Sequence, residues 1–342
     1  MKKKILAMIM IMAMGIATLL TGCGSNGGDG QGSGSQSGSN GNDPSKVLVL
    51  KVGDQDVYMD AVNYYAIALV EAMGLSEGTD VTQKYNESYD TLDAAMKAQL
   101  LLQIRQAMIL YQKAEEMGIT LDDSDKTEVS NMIAQYKESH DADKLQKFGL
   151  TDEALEKVYI QYKMISKMEE QLQSDSMSTG DVVEYGTIET LAFLTVEVDD
   201  SGNAVTDSDG NYKKLSDDEI TAAKAKAEEA LEKAKNGESF EDLIDEYDLS
   251  STSGTTHATT ESLKEAYQLE DGQISDVMET DFGYTIVHMV SQKDDEYTGM
   301  VQQYNAQQAV KDQEQSWFDG FFIQDSDVVE KVWNAFTFQD FV

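Results

Sequence analysis

Cysteine, proline and basic residues are all scarce in this chain of 342 residues. There is one cysteine, one proline, and 26 Lys and Arg against 63 Asp and Glu. A single thiol excludes an internal disulfide framework and any cysteine-based metal site. The only proline is Pro44. None follows Val47, where average usage predicts ~15. That absence permits long helices without proving them. The deficit of positive charge, with a net charge of −37, excludes the basic footprint that nucleic-acid binding needs. It also argues against electrostatic docking on anionic lipid. The acid serves solubility first. A paired His/Glu metal motif, a phosphate loop and a Gly-x-Ser-x-Gly elbow are missing too. Nothing in the sequence calls for a cofactor or a metal.

The longest uncharged apolar run is Ile5 to Leu20, too short for a membrane span of ~20 residues. Lys2, Lys3 and Lys4 precede it, and Thr21, Gly22 and the lone Cys23 follow. A charged start, a short apolar stretch and small residues at a cleavage point describe a secretory signal. Leu20-Thr21-Gly22-Cys23 resembles a bacterial lipobox. The resemblance implies a signal peptide over 1–22, lipidation of Cys23, and anchoring to the extracytoplasmic face of a bacterial cell membrane. Removing the signal leaves 23 basic against 63 acidic residues, a net charge of −40. Residues 24–46 are nearly all Gly, Ser, Asn, Gln and Asp. They cannot bury enough apolar surface to fold. With Cys23 they form the expected linker, 23–46, reaching roughly 80 Å if fully extended and about 25–30 Å on average.

After the linker, Val47–Val52 and Val57–Met59 read as a strand pair about the Gly53-Asp54 turn. Helices are predicted from Asp60 to about Met73, Thr91 to Met117, Ser124 to His140, and from Thr151 onward. In the last of these, Leu155, Val158, Tyr162, Ile165, Met168 and Leu172 make one apolar stripe. Bundle core is the ordinary use of such a stripe. Met73, Met96, Met108, Met117, Met132, Met164 and Met168 fall in these helices. Such flexible side chains fill core gaps, and a few left exposed around a groove would suit varied apolar segments.

A second region begins near Gly186. Ile188–Val198 reads as a strand. Two turn signals follow, Asp199–Asn203 and Asp207–Asn211. The second is no calcium loop, because Tyr212 and Asp218 stand where glycine and glutamate are required. Ser216 and Glu219 form a capping-box signature for a helix ending at Gly237. Shorter helices are expected over Phe240–Tyr247 and Ser262–Leu269, and a last strand over Tyr284–Val290. Val301–Phe322 reads as an amphipathic helix. Val328–Trp333 follows as a short strand or helix.

Asn236-Gly237-Glu238-Ser239-Phe240, Asp271-Gly272-Gln273-Ile274-Ser275 and Asp281-Phe282-Gly283-Tyr284 resemble a parvulin (PpiC-type) peptidyl-prolyl isomerase domain over about 186–296. Residues 47–174 more diffusely resemble the N-terminal chaperone region of PrsA-type foldases and SurA. With the lipobox, the layout resembles a PrsA/SurA-type foldase lipoprotein with a degenerate parvulin domain. The fold class implied is α+β. A mainly helical chaperone domain, 47–174 plus 297–342, would receive the parvulin-like domain, 186–296, as an insertion.

The family's site residues carry over poorly. Parvulins have a histidine in the first strand, where Phe193 stands, and another after Phe-Gly-Tyr, where Thr285 stands. Ser250 is nearest to their aspartate or cysteine. The proline-pocket Met and Phe fall near Ala258 and Ser262 or Leu263. Tyr267 could serve a rearranged pocket. His257 is expected in an exposed loop, and His288 among ordinary strand neighbours. The resemblance therefore implies a foldase for unfolded secreted polypeptides with little isomerase activity. An active isomerase is the alternative. A solute-binding or structural surface lipoprotein is the rival of another class.

Overall fold

The computed structural model describes residues 43–199, 203–321 and 328–342. The signal, Cys23 and nearly all of the linker lie outside these residues. The chain is α+β and divides into two compact units. One comprises the chain up to Ser174 together with Ala309–Val342, and the other is Asp175–Gln308.

In the first unit, Pro44–Lys46 form a 3₁₀ turn capped by Asp43, whose carboxylate accepts the Ser45 amide. The linker reading thus overran by a few residues, because Pro44 packs on the chain at Gly149. Strands β1 (Leu48–Val52) and β2 (Gln55–Tyr58) pair antiparallel about Gly53. Helices α1 (Met59–Ala72), α2 (Leu92–Glu116), α3 (Asp123–Ser139), α4 (Ala142–Lys147) and α5 (Asp152–Thr179) follow. Their starts are set by side-chain caps. Thr91 Oγ1 accepts the Ala94 amide, and Asp122 and Asp125 form a reciprocal capping box. The predicted helix starts were right to within a residue or two. The short α4 was not foreseen, since six mostly polar residues carry no periodic signal.

Leu50, Ile67, Met96, Leu100, Ile104, Met108 and Leu155 lie fully buried in one apolar core. The C-terminal segment joins it. The Val329 amide donates to the Val49 carbonyl, and α10 (Glu330–Ala335) follows. Lys97 Nζ donates to the Trp333 and Phe336 carbonyls at 2.8 and 2.6 Å, occupying the open end of α10. Asp93 accepts the Phe338 amide at 2.6 Å, and Phe341 stacks on Phe148 at 4.3 Å.

The second unit is built on a four-stranded sheet in the order β4–β3–β6–β5. Its strands are β3 (Tyr185–Leu194), β4 (Gly254–Thr259), β5 (Met278–Glu279) and β6 (Gly283–Ser291), and all neighbours are antiparallel. Helices α6 (Asp217–Lys235) and α7 (Phe240–Glu246) cover one face, and α8 (Thr260–Tyr267) packs on the other. Helix α9 (Asp295–Phe321) follows β6. β3 is displaced from its predicted span, starting at Tyr185 and ending at Leu194. Beyond it the chain leaves the sheet to form a small meander bridged at Val196–Lys214, Val198–Ala204 and Thr206–Tyr212.

Gly283 opens β6 at φ +154°. A Cβ there would lie 2.1 Å from the Phe193 carbonyl oxygen. The glycine of the Phe-Gly-Tyr run therefore permits the close pairing of β3 and β6.

Candidate functional site

Alternation along β3 and β6 sorts the candidate residues by face. Leu191 and Phe193 pair with Ile286 and Tyr284 and pack beneath α6 and α7 with Ala227, Ala230 and Leu243. Phe193 is 4% exposed and meets Tyr247 edge-on at 5.6 Å. It is a core residue, and it does not share a face with Thr285. The position opposite Thr285 is Ala192.

The other face carries Ile188, Val287 and Met289, buried with Leu263 of α8. Tyr267, Leu269, Met278 and Ala258 pack at its margin. Ala192, Leu194 and Thr285, nearer the other end of the same face, are only half-buried. This half-covered face, with Leu263 and Tyr267 at one side and the half-buried Ala192 and Thr285 as its floor, is the candidate cleft.

The turn after α7 closes the cleft on the β4 side. Thr252 Oγ1 donates to the Ala192 carbonyl at 2.9 Å, and the Ala192 amide donates to Ser253 Oγ at 2.8 Å. These hydroxyls take the place of a strand partner, because β4 stops pairing with β3 at Gly254. Ser250 lies exposed in the same turn. Sequence reasoning singled out Ser250 and missed Thr252 and Ser253. A run of small hydroxyl residues does not announce which of them turns inward.

None of the chain's three histidines reaches the cleft floor. His140 belongs to the first unit, where its ring nitrogens meet Glu71 at 2.9 Å and the Tyr136 carbonyl at 2.7 Å. His257 is not in a loop. It lies on edge strand β4, with Nδ1 2.8 Å from Thr187 Oγ1 and its ring stacked on Tyr297 at 3.7 Å. Thr187 also donates to Asp294 at 2.5 Å, and that bond holds the Asp294 carboxyl below its usual range. Ala258, the next residue, is the one that joins Leu263 and Tyr267. His257 and Tyr267 therefore do not converge. His288 pairs with Glu189 at 2.8 Å and lies 5.5 Å from the Phe240 ring, on the α6/α7 side.

The seven methionines singled out in the N-terminal helices pack into or against the core rather than standing exposed. Met96, Met108 and Met168 are fully buried, and Met73, Met117, Met132 and Met164 are half-buried against the core clusters. Among the described residues, no group of three or more His, Cys, Asp or Glu is placed to hold a metal ion. No described helix is long and apolar enough to cross a membrane.

Residues 210–291 match the family model described as "Rotamase: PPIC-type PPIASE domain". The parvulin-type resemblance read from Asp271–Ser275 and Asp281–Tyr284 is thereby shown for this segment, which runs from the meander through β6. A comparison with curated proteins gives no match. Among solved structures, the peptidylprolyl isomerase PrsA from Bacillus anthracis is 21% identical, with 65% of this chain and 96% of that chain covered and a TM-score of 0.28. PrsA from Bacillus subtilis is 16% identical, with 70% and 92% covered and a TM-score of 0.23. The foldase protein PrsA from Streptococcus pneumoniae is 17% identical, with 79% and 87% covered and a TM-score of 0.20.

Proposed function

We propose that this protein is an extracytoplasmic foldase. It would be anchored through a lipid on Cys23, and would hold unfolded secreted polypeptides in the cleft of its PpiC-type segment with little isomerase activity. The observation that carries this is the cleft floor itself. Where polar catalytic groups would act on a bound amide, the sheet presents Ala192 and Thr285, and the described histidines are engaged elsewhere.

Rotation about a peptide bond has a barrier of ~18–20 kcal/mol. A catalyst must bind the twisted amide better than the planar one. A methyl group offers no hydrogen bond that strengthens with twisting. The Thr285 hydroxyl is a single donor, and Thr252 is committed to the Ala192 carbonyl. The half-apolar cleft beside Leu263 and Tyr267 can still hold a polypeptide, because binding needs no preference for the twisted form.

Two measurements on the full-length mature protein test this. Exchange of a proline tetrapeptide should proceed within a few-fold of its uncatalysed rate. Aggregation of a reduced, unfolded client lacking proline should be slowed at equimolar protein. Efficient turnover of the peptide would overturn the claim of weak catalysis. Failure to slow aggregation would overturn the foldase reading.

A further inference from the structure

The cleft does not end at Ala192. Leu194, two residues further along the same face of β3, opens into a shallow groove of about 480 Å³. Val196, Val198, Ala204 and Tyr212 of the meander line it together with Phe282, Ser251 and Thr252. Val198, Tyr212 and Phe282 are 45%, 40% and 43% exposed. Tyr212 and Phe282 touch at 4.7 Å between ring centres, making one aromatic surface. Large apolar side chains left open together in a concavity mark an interaction site more than singly scattered ones do.

The groove is held in shape by the backbone. The Thr195 amide donates to the Phe282 carbonyl at 2.8 Å, and the Leu215 amide to the Thr195 carbonyl at 2.9 Å. Asp199 accepts the Asn203 amide, and Asp207 accepts the Asn211 amide, each at 2.9 Å. The apolar wall is thus carried on a folded support.

Among the described residues no charged one lines the groove, yet its supports are acidic. Asp199, Asp207 and Asp209 lie in the meander's turns, and Glu279 and Asp281 flank Phe282. Against them stand Lys213, paired with Glu197 at 4.0 Å, and Lys214, whose Nζ donates to the Asp281 carbonyl. The excess is negative, and at physiological salt its field reaches about 8 Å.

We infer that this groove binds a polypeptide segment in which an apolar or aromatic side chain is flanked by lysine or arginine. The inference rests on the polypeptide-binding function proposed above and names where, and for which sequences, that binding is selective. The apolar residue fills the space between Val198 and the Tyr212–Phe282 surface. The flanking cations face the acidic turns. Because Leu194 joins groove and cleft, a client extended along β3 meets both.

The test uses the full-length mature protein and three fluorescent dodecapeptides: alternating lysine–leucine, glutamate–leucine and lysine–serine. The lysine–leucine peptide should bind at least tenfold more tightly than either of the others. A Tyr212→Ser/Phe282→Ser variant should bind it about tenfold more weakly, as expected when two aromatic anchors are lost. Val198→Ser should also weaken binding of the lysine–leucine peptide, by severalfold, because it removes apolar surface without adding charge. Glu279→Lys/Asp281→Lys should narrow the preference for lysine–leucine over glutamate–leucine. All these side chains are exposed or on turns, so circular dichroism and melting should stay as in the wild type. If both apolar variants are folded and bind the lysine–leucine peptide as the wild type does, the groove is not the site. Equal binding of the glutamate–leucine peptide would refute the charge selection. Should the wild type protect no client, the foldase reading fails. Should it protect clients equally well with and without the groove substitutions, only this inference fails.

Discussion

Replacing Glu314 with glutamine should stabilise the first unit at alkaline pH and leave it nearly unchanged at acid pH. Glu314 on α9 and Glu169 on α5 face each other closely enough for their carboxyls to influence one another's titration, and Glu314 Oε1 is buried without a hydrogen-bond partner. Met168, next to Glu169, and Trp317, one turn beyond Glu314, pack in an apolar cluster with Ala114 and Ile165. Burial pushes the Glu314 carboxyl from 4.5 up to about 8, and the Glu169 charge adds to it. Burial also raises Glu169, with a further push from Glu170. Lys311 opposes the rise of Glu314 only in part.

Between pH 4.5 and 8 the folded pair keeps a proton that the unfolded carboxyls have released. The native state binds more protons, so stability falls as pH rises through this window. The full shift corresponds to about 5 kcal/mol at ~1.36 kcal/mol per unit. Both side chains are only partly buried, and screening by the water that reaches them lowers the cost to roughly 2 kcal/mol. Both tryptophans, Trp317 and Trp333, lie in this unit, so their fluorescence during urea unfolding reports on it. Glu314→Gln should match the wild type within about 0.5 kcal/mol at pH 5 and exceed it by roughly 2 kcal/mol at pH 8.5. A difference that does not widen between these pH values would refute the shared-proton account. So would a variant less stable than the wild type at pH 8.5.

His140 acts in the opposite sense. The hydrogen bond to Glu71 raises its pKa, so its stabilisation is complete below about pH 6.5 and lost as pH rises through the folded value. His140→Gln should therefore cost about 1 kcal/mol at pH 5.5 and less at pH 9 in the same urea assay. Gly283→Ala places a Cβ against the Phe193 carbonyl at positive φ, and calorimetry should show a loss of about 3 kcal/mol or more. Phe338 is fully buried beside Phe336 and Phe341, and Phe338→Ala should cost about 3–5 kcal/mol by tryptophan-monitored unfolding. Cys23→Ser should abolish lipidation. A wild-type chain without a lipid mass addition, partitioning into the aqueous phase of a detergent extract, would show the anchor reading to be wrong.

The helices were legible because their signals are local. Ser216 and Glu219 make the capping box their spacing announces, with the Ser216 amide donating to Glu219 at 2.9 Å. Thr91 and the Gly118 stop bound α2 in the same way. β4 was missed because Gly254–Thr259 is a polar edge strand, without the alternation of a half-buried one. It forms because β3 offers it a partner, and that is a tertiary fact. The same blindness put His257 in a loop. The Asp207 turn was read from its residues, while the middle of the Asp199–Asn203 signal lies outside the described residues. That the meander braces an apolar wall could not be read, since Val198, Tyr212 and Phe282 are distant in sequence and meet only when the turn before β6 closes on the meander.

The cleft depended on a distinction finer than a motif can make. A shift of one residue in a strand moves every side chain to the opposite face. Glu189 to Leu194 contains apolar residues of both parities, so aligning a histidine position with Phe193 or with Ala192 is equally consistent with its sequence. The register of β3 on β6 separates them, placing Phe193 against Tyr284 and Ala192 against Thr285. The consequence for catalysis is small, because neither side chain can donate a hydrogen bond. The consequence for binding is large. A phenylalanine on the cleft floor would fill the space between Thr285 and the turn that carries Thr252, whereas alanine leaves it open for a client side chain. Ala192→Phe should therefore impair client binding while leaving the already weak isomerisation rate unchanged. If client protection survived in a folded Ala192→Phe protein, polypeptides would have to be held outside this cleft.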